Sequence, residues 1–510
     1  MRRLTLLPDT YLDSVLQMSG TRAMEETPGV TWAAAAMATL GNLQTLADRG
    51  FAQPELATAK PNDLFIAIEA TDDSAAEAAE TRGREALFAA RKTLGSSDKP
   101  APRSIDEALD EHPDANIAVI SVPGAYAALE AHAALACGLD VLLFSDNVSR
   151  EDEIALKEHA AARQRLVMGP GAGTAHLGGT GLGFANVVGH GPVGVASAAG
   201  TGAQEAMALL DRWGVGVSNV IGLGGRDLNA DIDGRMAKLA IQALEDDPQT
   251  EVILVVSKPP APNVAASVLD REHPTPMAAA FMGTSETGLR SGAVVNDTLE
   301  GGVVATLRML GRDVPDLQAI RGPSLPDVID RLASERTTIQ GLYSGGTLCY
   351  EALVLLSRTY PHPVYSNIPL DPSLRVPAPV GTSVLLDLGE EEYTQGRPHP
   401  MIDPSLRVEM LERLVDDPTV AVVLLDVVLG HGSHPDPAGV LAPILARLNG
   451  SSGPQVVAYV LGTDSDPQGY GSQVQALVDI GCMVTETAAR AALLAAAIAQ
   501  RDPDIVRLPL

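Results

Sequence analysis

The sequence predicts an α/β protein made of a small α+β module, a Rossmann-like domain and two homologous α/β units. Three observations carry that reading. Short apolar strands alternate with helical patterns of roughly 10–15 residues, the signature of parallel sheets. A strand–turn–helix segment occurs twice, and a polar, proline-containing stretch separates the first ninety-odd residues from the rest. At 510 residues the chain is long enough to bury a core in each of several domains. Its net charge of −28 opposes nucleic acid or an anionic membrane as partner, so any anion site must be local. Cys137, Cys349 and Cys482 are isolated, and no secretory signal is evident, which points to a reducing cytoplasm. No apolar run of roughly 18 residues occurs; the Ala-rich segment Ala488–Gln500 reads as a packed helix.

The first module, 1–95, is read as strand Leu4–Leu7, helix Tyr11–Thr21, short strand Gly29–Ala33, helix Asn42–Arg49, strand Asp63–Glu69 and helix Asp73–Thr93. It resembles a ferredoxin-like arrangement. Gly95–Arg103 reads as a linker. The Rossmann-like domain, 104–186, has strands Ala115–Val122, Asp140–Phe144 and Leu166–Met168, with helices Ala125–Ala136 and Arg150–Arg163 between them. Ligands of such sheets bind beyond the carboxyl ends of the strands. Pro123, Gly124, Asn147, Gly169 and Pro170 fall there and are candidate cofactor contacts. The first α/β unit, 187–312, adds Gly224 and Gly225 in a glycine-rich loop, with Arg226 and Asp227 following, and a strand Val252–Val256 that ends in Ser257-Lys258-Pro259-Pro260. Asp313–Leu325 reads as an interdomain segment, and the second unit occupies 326–510.

The repeat defines the candidate site. Gly194–Ala206 and Gly341–Ala352 each give an apolar strand, a turn of Ser, Gly and Thr, and a helix with Glu205 or Glu351 near its start. Such a turn leaves the first N–H groups of the helix unpaired beside the positive end of its dipole, where a phosphate can sit. Ser197, Gly200 and Thr201 in the first copy, and Ser344, Gly345, Gly346 and Thr347 in the second, are the candidate phosphate-binding residues; capping of the helix is the simpler alternative for either copy alone. Downstream, Asp233 and Pro248 recur as Asp403 and Pro418, both at an offset of 170, whereas the Gly-Thr pair recurs at 146. The second unit therefore carries about 24 additional residues between turn and helix. His431 and His434 follow strand Val422–Val428 with Asp436 nearby; without further clustered ligands no metal centre is expected, and the histidines stand as candidate catalytic groups. Asp227, Asp387 and Asp426, near strand ends, suit turns or caps, or would orient Mg²⁺.

Gly169-Pro170, Gly194–Thr201 with Glu205, Gly214-Val215-Gly216, Gly222–Gly225 and the acidic run 246–251 resemble, in order and spacing, the α subunit of succinyl-CoA synthetase over roughly 104–310. The second unit resembles the corresponding domain of that enzyme's β subunit, and a chain carrying both after a small module is similar to the FdrA proteins of the acyl-CoA synthetase superfamily. The resemblance implies a CoA-binding-type Rossmann-like domain, two flavodoxin-like domains, and a phosphate clamp between two helix N-termini, with CoA, a phosphate or acyl phosphate, and Mg²⁺ as candidate ligands. It also implies companion subunits or a homo-oligomer. Three departures matter. Residues 283–293 contain no histidine where the synthetases carry their phosphohistidine, Ser257–Pro260 replaces a Gly-Glu segment, and neither the glycine-rich CoA loop nor an ATP-grasp domain is evident. Two catalytic readings result. One is a CoA-ligase-like subunit in which His431 or His434 takes the missing role; the other is a carbamoyltransferase-like subunit in which Lys258, Arg226 and Arg290 hold a carbamoyl phosphate without a covalent relay. A metabolite-binding scaffold is the non-catalytic alternative.

Overall fold

The computed structural model describes residues 1–510 apart from 9, 11, 13, 39–41, 44–45, 48, 52–58, 61–62, 94–101, 271–272, 395–396 and 451–452. Parts of the expected helix Asn42–Arg49 and most of the linker Gly95–Arg103 lie outside the described residues. The chain divides into two compact units, Met1–Pro102 with Glu391–Pro398, and Arg103–Glu390 with His399–Leu510.

In the smaller unit Leu64–Ala70 is the central strand of an antiparallel sheet, flanked by Arg2–Leu7 and Val30–Met37. The third of these runs four residues beyond the expected Ala33, because pairing with Leu64–Ala70 holds an alanine-rich segment that has little strand preference of its own. Helices Ser14–Glu25 and Asp73–Thr93 pack together through two glycines: a side chain at Gly20 would meet Leu87, and one at Gly83 would meet Met24.

The larger unit holds three sheets. Ile117–Ile120, Asp140–Leu143 and Val167–Met168 form a small parallel sheet with helices Gly124–Ala136 and Arg150–Ala162. The hairpin Thr174–Leu177/Thr180–Gly183 falls within the expected Rossmann-like segment, but it pairs with Val217–Gly222 and extends an eight-stranded sheet instead. That sheet is centred on His190–Ser197, parallel to Val217–Gly222 on one side and Val252–Ser257 on the other. The seven-stranded sheet repeats the arrangement, with Thr338–Tyr343 between Ser383–Asp387 and Val420–Val428. The segment expected to be purely interdomain supplies the strand Ile320–Arg321, antiparallel to Met483–Thr485. No described helix is long and apolar enough to cross a membrane.

The two sheets share one core. Val193, Val195, Leu254 and Val256 of the first belong to the same buried cluster as Ile339, Tyr343, Val422 and Leu424 of the second. Helix Ala488–Gln500 is buried along almost its whole length, its Ala, Leu and Ile side chains within this cluster and Arg490 ion-paired with Glu300, which explains its largely apolar sequence. The repeated glutamates join the halves reciprocally. Glu351 Oε1 accepts from the Leu299 N–H at 2.6 Å, at the start of helix Leu299–Met309 in the first half. Glu205 Oε1 accepts from the Ala488 N–H at 3.5 Å, at the start of helix Ala488–Gln500 in the second.

Candidate active site

Helices Gly200–Arg212 and Gly346–Thr359 each follow the central strand of their sheet, and neither N-cap residue, Ala199 or Gly345, supplies a side-chain cap. Their first turns meet. The Thr347 N–H donates to Thr201 Oγ1 at 3.2 Å. Glycines permit the approach, since a side chain at Gly202 would lie 3.1 Å from Thr347 Cγ2 and one at Gly345 2.9 Å from Thr201 Cγ2. A Cβ on Gly200 would meet nothing within 4 Å. It faces a cavity of about 370 Å³ whose wall includes Gly200, Thr201, Ser344, Gly346 and Thr347 from the two turns.

Lys258 also lines this cavity. Its ammonium lies 5.1 Å from the centroid of the Tyr350 ring and makes no hydrogen bond or ion pair with a described residue. A cation beside two helix N-termini is a local positive field inside a strongly anionic chain. Three acidic residues face it. Asp146 and Glu390 line the cavity, and the Asp387 carboxylate lies so close to Gly346 that any side chain there would collide with it. Burial, followed by the charge of Glu390, pushes Asp387 up to about 7, while the Gly389 N–H and Lys258 oppose the shift.

His399 completes the wall, and sequence reasoning passed over it. Its Nδ1 accepts from the Met401 N–H at 3.3 Å, and its ring lies against Phe184 with centroids 5.8 Å apart. A side chain at Gly389 would sit 2.7 Å from His399 Nε2 and 3.2 Å from Asp387 Oδ1, so both atoms converge on one point above Gly389. Burial lowers His399 to about 4, against a weaker opposing effect of Asp426, and the ring is neutral near pH 7. The signal in the sequence was indirect: His399, held between Pro398 and Pro400, ends the additional segment of the second unit.

The remaining expected residues are placed differently. Ser344 Oγ and the Ser344 and Gly345 N–H groups all bond to the Asp426 carboxylate, at 2.9, 2.8 and 2.6 Å. Ser197 Oγ is turned onto its own loop, donating to the Ala199 carbonyl at 2.8 Å. The two serines thus shape the turns, and the cavity wall is left with Gly200, Thr201, Gly346 and the Thr347 hydroxyl, the Thr347 N–H being already engaged by Thr201 Oγ1. Arg226 does not line the cavity; its Nε bonds to Glu153 at 2.6 Å and its Nη2 to the Val148 carbonyl. Asp227 is ion-paired with the buried Lys157 at 2.9 Å. Arg290 is held by Asp270 at 2.8 and 2.9 Å. His431 is tied through its backbone to Ala185, and His434 Nδ1 accepts from the Asp436 N–H at 3.0 Å; neither lines the cavity. The seven candidate cofactor contacts are mostly occupied by loop packing. A side chain at Gly124 would collide with the Asp146 and Asn147 carbonyls, and Gly224 lies against the backbone of Gly169. Asn147 adopts a positive φ of 55°, Pro123 is the N-cap of helix Gly124–Ala136, and Pro170 follows Gly169 in the same loop. Of the seven, Gly225 reaches the cavity.

A Rossmann-like segment followed by two parallel-sheet units that meet at paired helix N-termini is the arrangement implied by the resemblance to the succinyl-CoA synthetase subunits, and the sequence comparisons define the class as acyl-CoA-synthetase-type. Residues 342–498 match the family model described as CoA-ligase, and residues 1–102 match one described as AllF, heavy metal-associated domain. The chain is 39% identical over 506 residues to YahF of Escherichia coli (strain K12), covering 97% of this chain and 98% of that protein. It belongs to the FdrA/YahF-like family of acyl-CoA-synthetase-type proteins. The succinate–CoA ligase α subunit of Methanothermobacter thermautotrophicus is 26% identical over 158 residues, about 30% of this chain and 52% of the ligase subunit. The malate–CoA ligase α subunit of Methylorubrum extorquens is 28% identical over 210 residues, 38% of this chain and 69% of that subunit. A solved structure, the dinucleotide-forming acetyl-coenzyme A synthetase 1 of Ca. Korarchaeum cryptofilum, aligns at 14% identity with a TM-score of 0.30, over 81% of this chain and 90% of its own. Positions 1–102 contain neither cysteine nor histidine, and the described residues hold no group of three or more His, Cys, Asp or Glu side chains placed to bind a metal.

Proposed function

We propose that this protein is the phosphate-handling subunit of an acyl-transfer enzyme: it holds a phosphate or acyl phosphate between the N-termini of helices Gly200–Arg212 and Gly346–Thr359 and passes the acyl group, in CoA-ligase-like chemistry, between that phosphate and an acceptor. The observation that supports the reading is the convergence on one cavity of Lys258 and two helix N-termini, neither capped by the side chain of its own N-cap residue. The CoA-ligase match supports CoA as acceptor or donor. Companion subunits or further copies of the chain, in the cytoplasm, would supply nucleotide binding.

One finding favours the carbamoyl variant of this reading. Residues 283–293 have no histidine, and His431 and His434 do not line the cavity, so the groups expected to carry a covalent phosphate are not beside the clamp. Direct attack on an acyl phosphate such as carbamoyl phosphate needs only positioning and charge stabilisation, which helix N–H groups and Lys258 would supply.

Titration calorimetry of the full chain with acetyl phosphate, carbamoyl phosphate, inorganic phosphate and CoA tests this. Binding of an acyl phosphate that falls at least about tenfold in Lys258→Met is expected, since a hydrogen bond to a charged group contributes roughly 1.5–3 kcal/mol. Absence of binding by all three phosphates would overturn the clamp and leave a metabolite-binding scaffold. Binding unaltered in Lys258→Met would remove Lys258 from it.

A further inference from the structure

We propose that His399 is a catalytic residue of this chain, its Nε2–H donating to the carbonyl oxygen of the acyl group on the clamped phosphate while Asp387 handles the proton of the acceptor. This rests on the acyl-phosphate reading above. His399 lines the same cavity as Thr201, Lys258 and Thr347, and its Nε2 has no hydrogen-bond partner among the described residues. Because Nδ1 accepts the Met401 N–H, the neutral ring carries its proton on Nε2. That nitrogen is therefore a donor. A nucleophilic role would require the proton to leave Nε2 while Nδ1 is already engaged by an amide donor, and so the contact with Met401 selects donation over phosphorylation.

Three further features set the group in place. Gly389 leaves open the point on which His399 Nε2 and Asp387 Oδ1 converge. Phe184 packs on the imidazole, and Pro398 and Pro400 restrict the backbone on both sides. Burial keeps the ring neutral, as a donor should be when it is not to compete for the acceptor's proton.

The step balances. A nucleophile bearing a proton, such as a thiol or an amide nitrogen, attacks the acyl carbon and forms a bond to it. The carbonyl electron pair moves onto oxygen, where the His399 Nε2–H and Lys258 meet the developing charge. Collapse breaks the bond between the acyl carbon and the phosphate oxygen, and phosphate leaves with that electron pair, retained by the helix N–H groups. Asp387 accepts the nucleophile's proton and returns it to the departing phosphate.

Acetyl phosphate labelled with ¹³C at its carbonyl, with hydroxylamine as acceptor, tests the assignment on the full chain. Infrared difference spectra should show the bound carbonyl band at lower wavenumber than in water. In His399→Ala the band should move back while affinity, read by calorimetry, changes less than about threefold. Hydroxamate formation at saturation should fall on the order of 10²-fold, the usual effect of losing one donor to an oxyanion. His399→Gln, which keeps an N–H donor of similar reach, should recover part of both signals. An identical carbonyl band in wild type and His399→Ala would overturn the proposal, as would acid-labile phosphate that appears on the wild-type chain and is absent from His399→Gln, since that would make His399 a nucleophile. Failure of acetyl phosphate to bind the wild type would instead remove the clamp, and the His399 role with it.

Discussion

At the scale of single residues the cavity separates groups that meet a ligand from groups that build its wall. Thr201 and Thr347 differ in this way. Thr201 Oγ1 receives the Thr347 N–H, so Thr201→Val leaves a buried donor unpaired and should lower stability by about 1–3 kcal/mol as well as weakening anion binding. Thr347→Val should weaken binding with little loss of stability; urea denaturation beside calorimetry distinguishes the two. Asp387 makes binding depend on pH. Its carboxyl, raised to about 7 by burial and by Glu390, repels an anion in the ionised form that acts as base and repels it less once protonated. Affinity for acetyl phosphate should therefore increase as pH falls from 8 to 6, and Asp387→Asn should abolish most of that increase. An unchanged slope in the variant would show that Asp387 does not face the anion. The cavity lining was legible where turn chemistry marked it, as at Gly200-Thr201 and Gly346-Thr347. Arg226 and Lys258 were indistinguishable as sequence, yet Glu153 neutralises the first and leaves the second free, because an ion pair with a residue 73 positions away depends on how the chain folds back.

At the scale of elements the two helices tolerate change unequally. Gly200 opens onto the cavity, so Gly200→Ala should leave thermal stability within about 0.5 kcal/mol while obstructing the anion. Gly345→Ala would press on Thr201 Cγ2 at 2.9 Å and should cost about 1–3 kcal/mol, because the helix turns would have to separate. Most strands and helices were legible from apolar runs and turn residues, including Ala488–Gln500 at both ends. The hairpin Thr174–Leu177/Thr180–Gly183 was not assigned to its sheet, since strand partners are set by pairing across the molecule and leave no local periodicity.

At the scale of the whole larger unit, the reciprocal glutamates link the two halves by groups that prefer to be neutral. Burial pushes Glu351 up to about 8 and Glu205 up to about 7 from the usual 4.5. A carboxyl whose folded-state pKa exceeds its unfolded value binds its proton more tightly in the fold. Its stabilising contribution is fully present below about 4.5 and is lost as pH rises through 7 to 8. Wild-type stability should decline across that window, and Glu351→Gln, which keeps an acceptor for the Leu299 N–H, should flatten the decline; melting temperatures at pH 5, 6, 7 and 8 provide the measurement. A slope identical in both proteins would place the titration elsewhere.

The sequence by itself determined the duplicated strand–turn–helix and the α/β class, because these depend on local backbone demands and on period, which a few adjacent residues express. Only the tertiary structure decided that the two turns face each other, that Glu205 and Glu351 cap helices across the core, and that His399 and Lys258, 141 positions apart, share a cavity. Those relations arise from side-chain packing between distant segments, for which the chain carries no nearby mark.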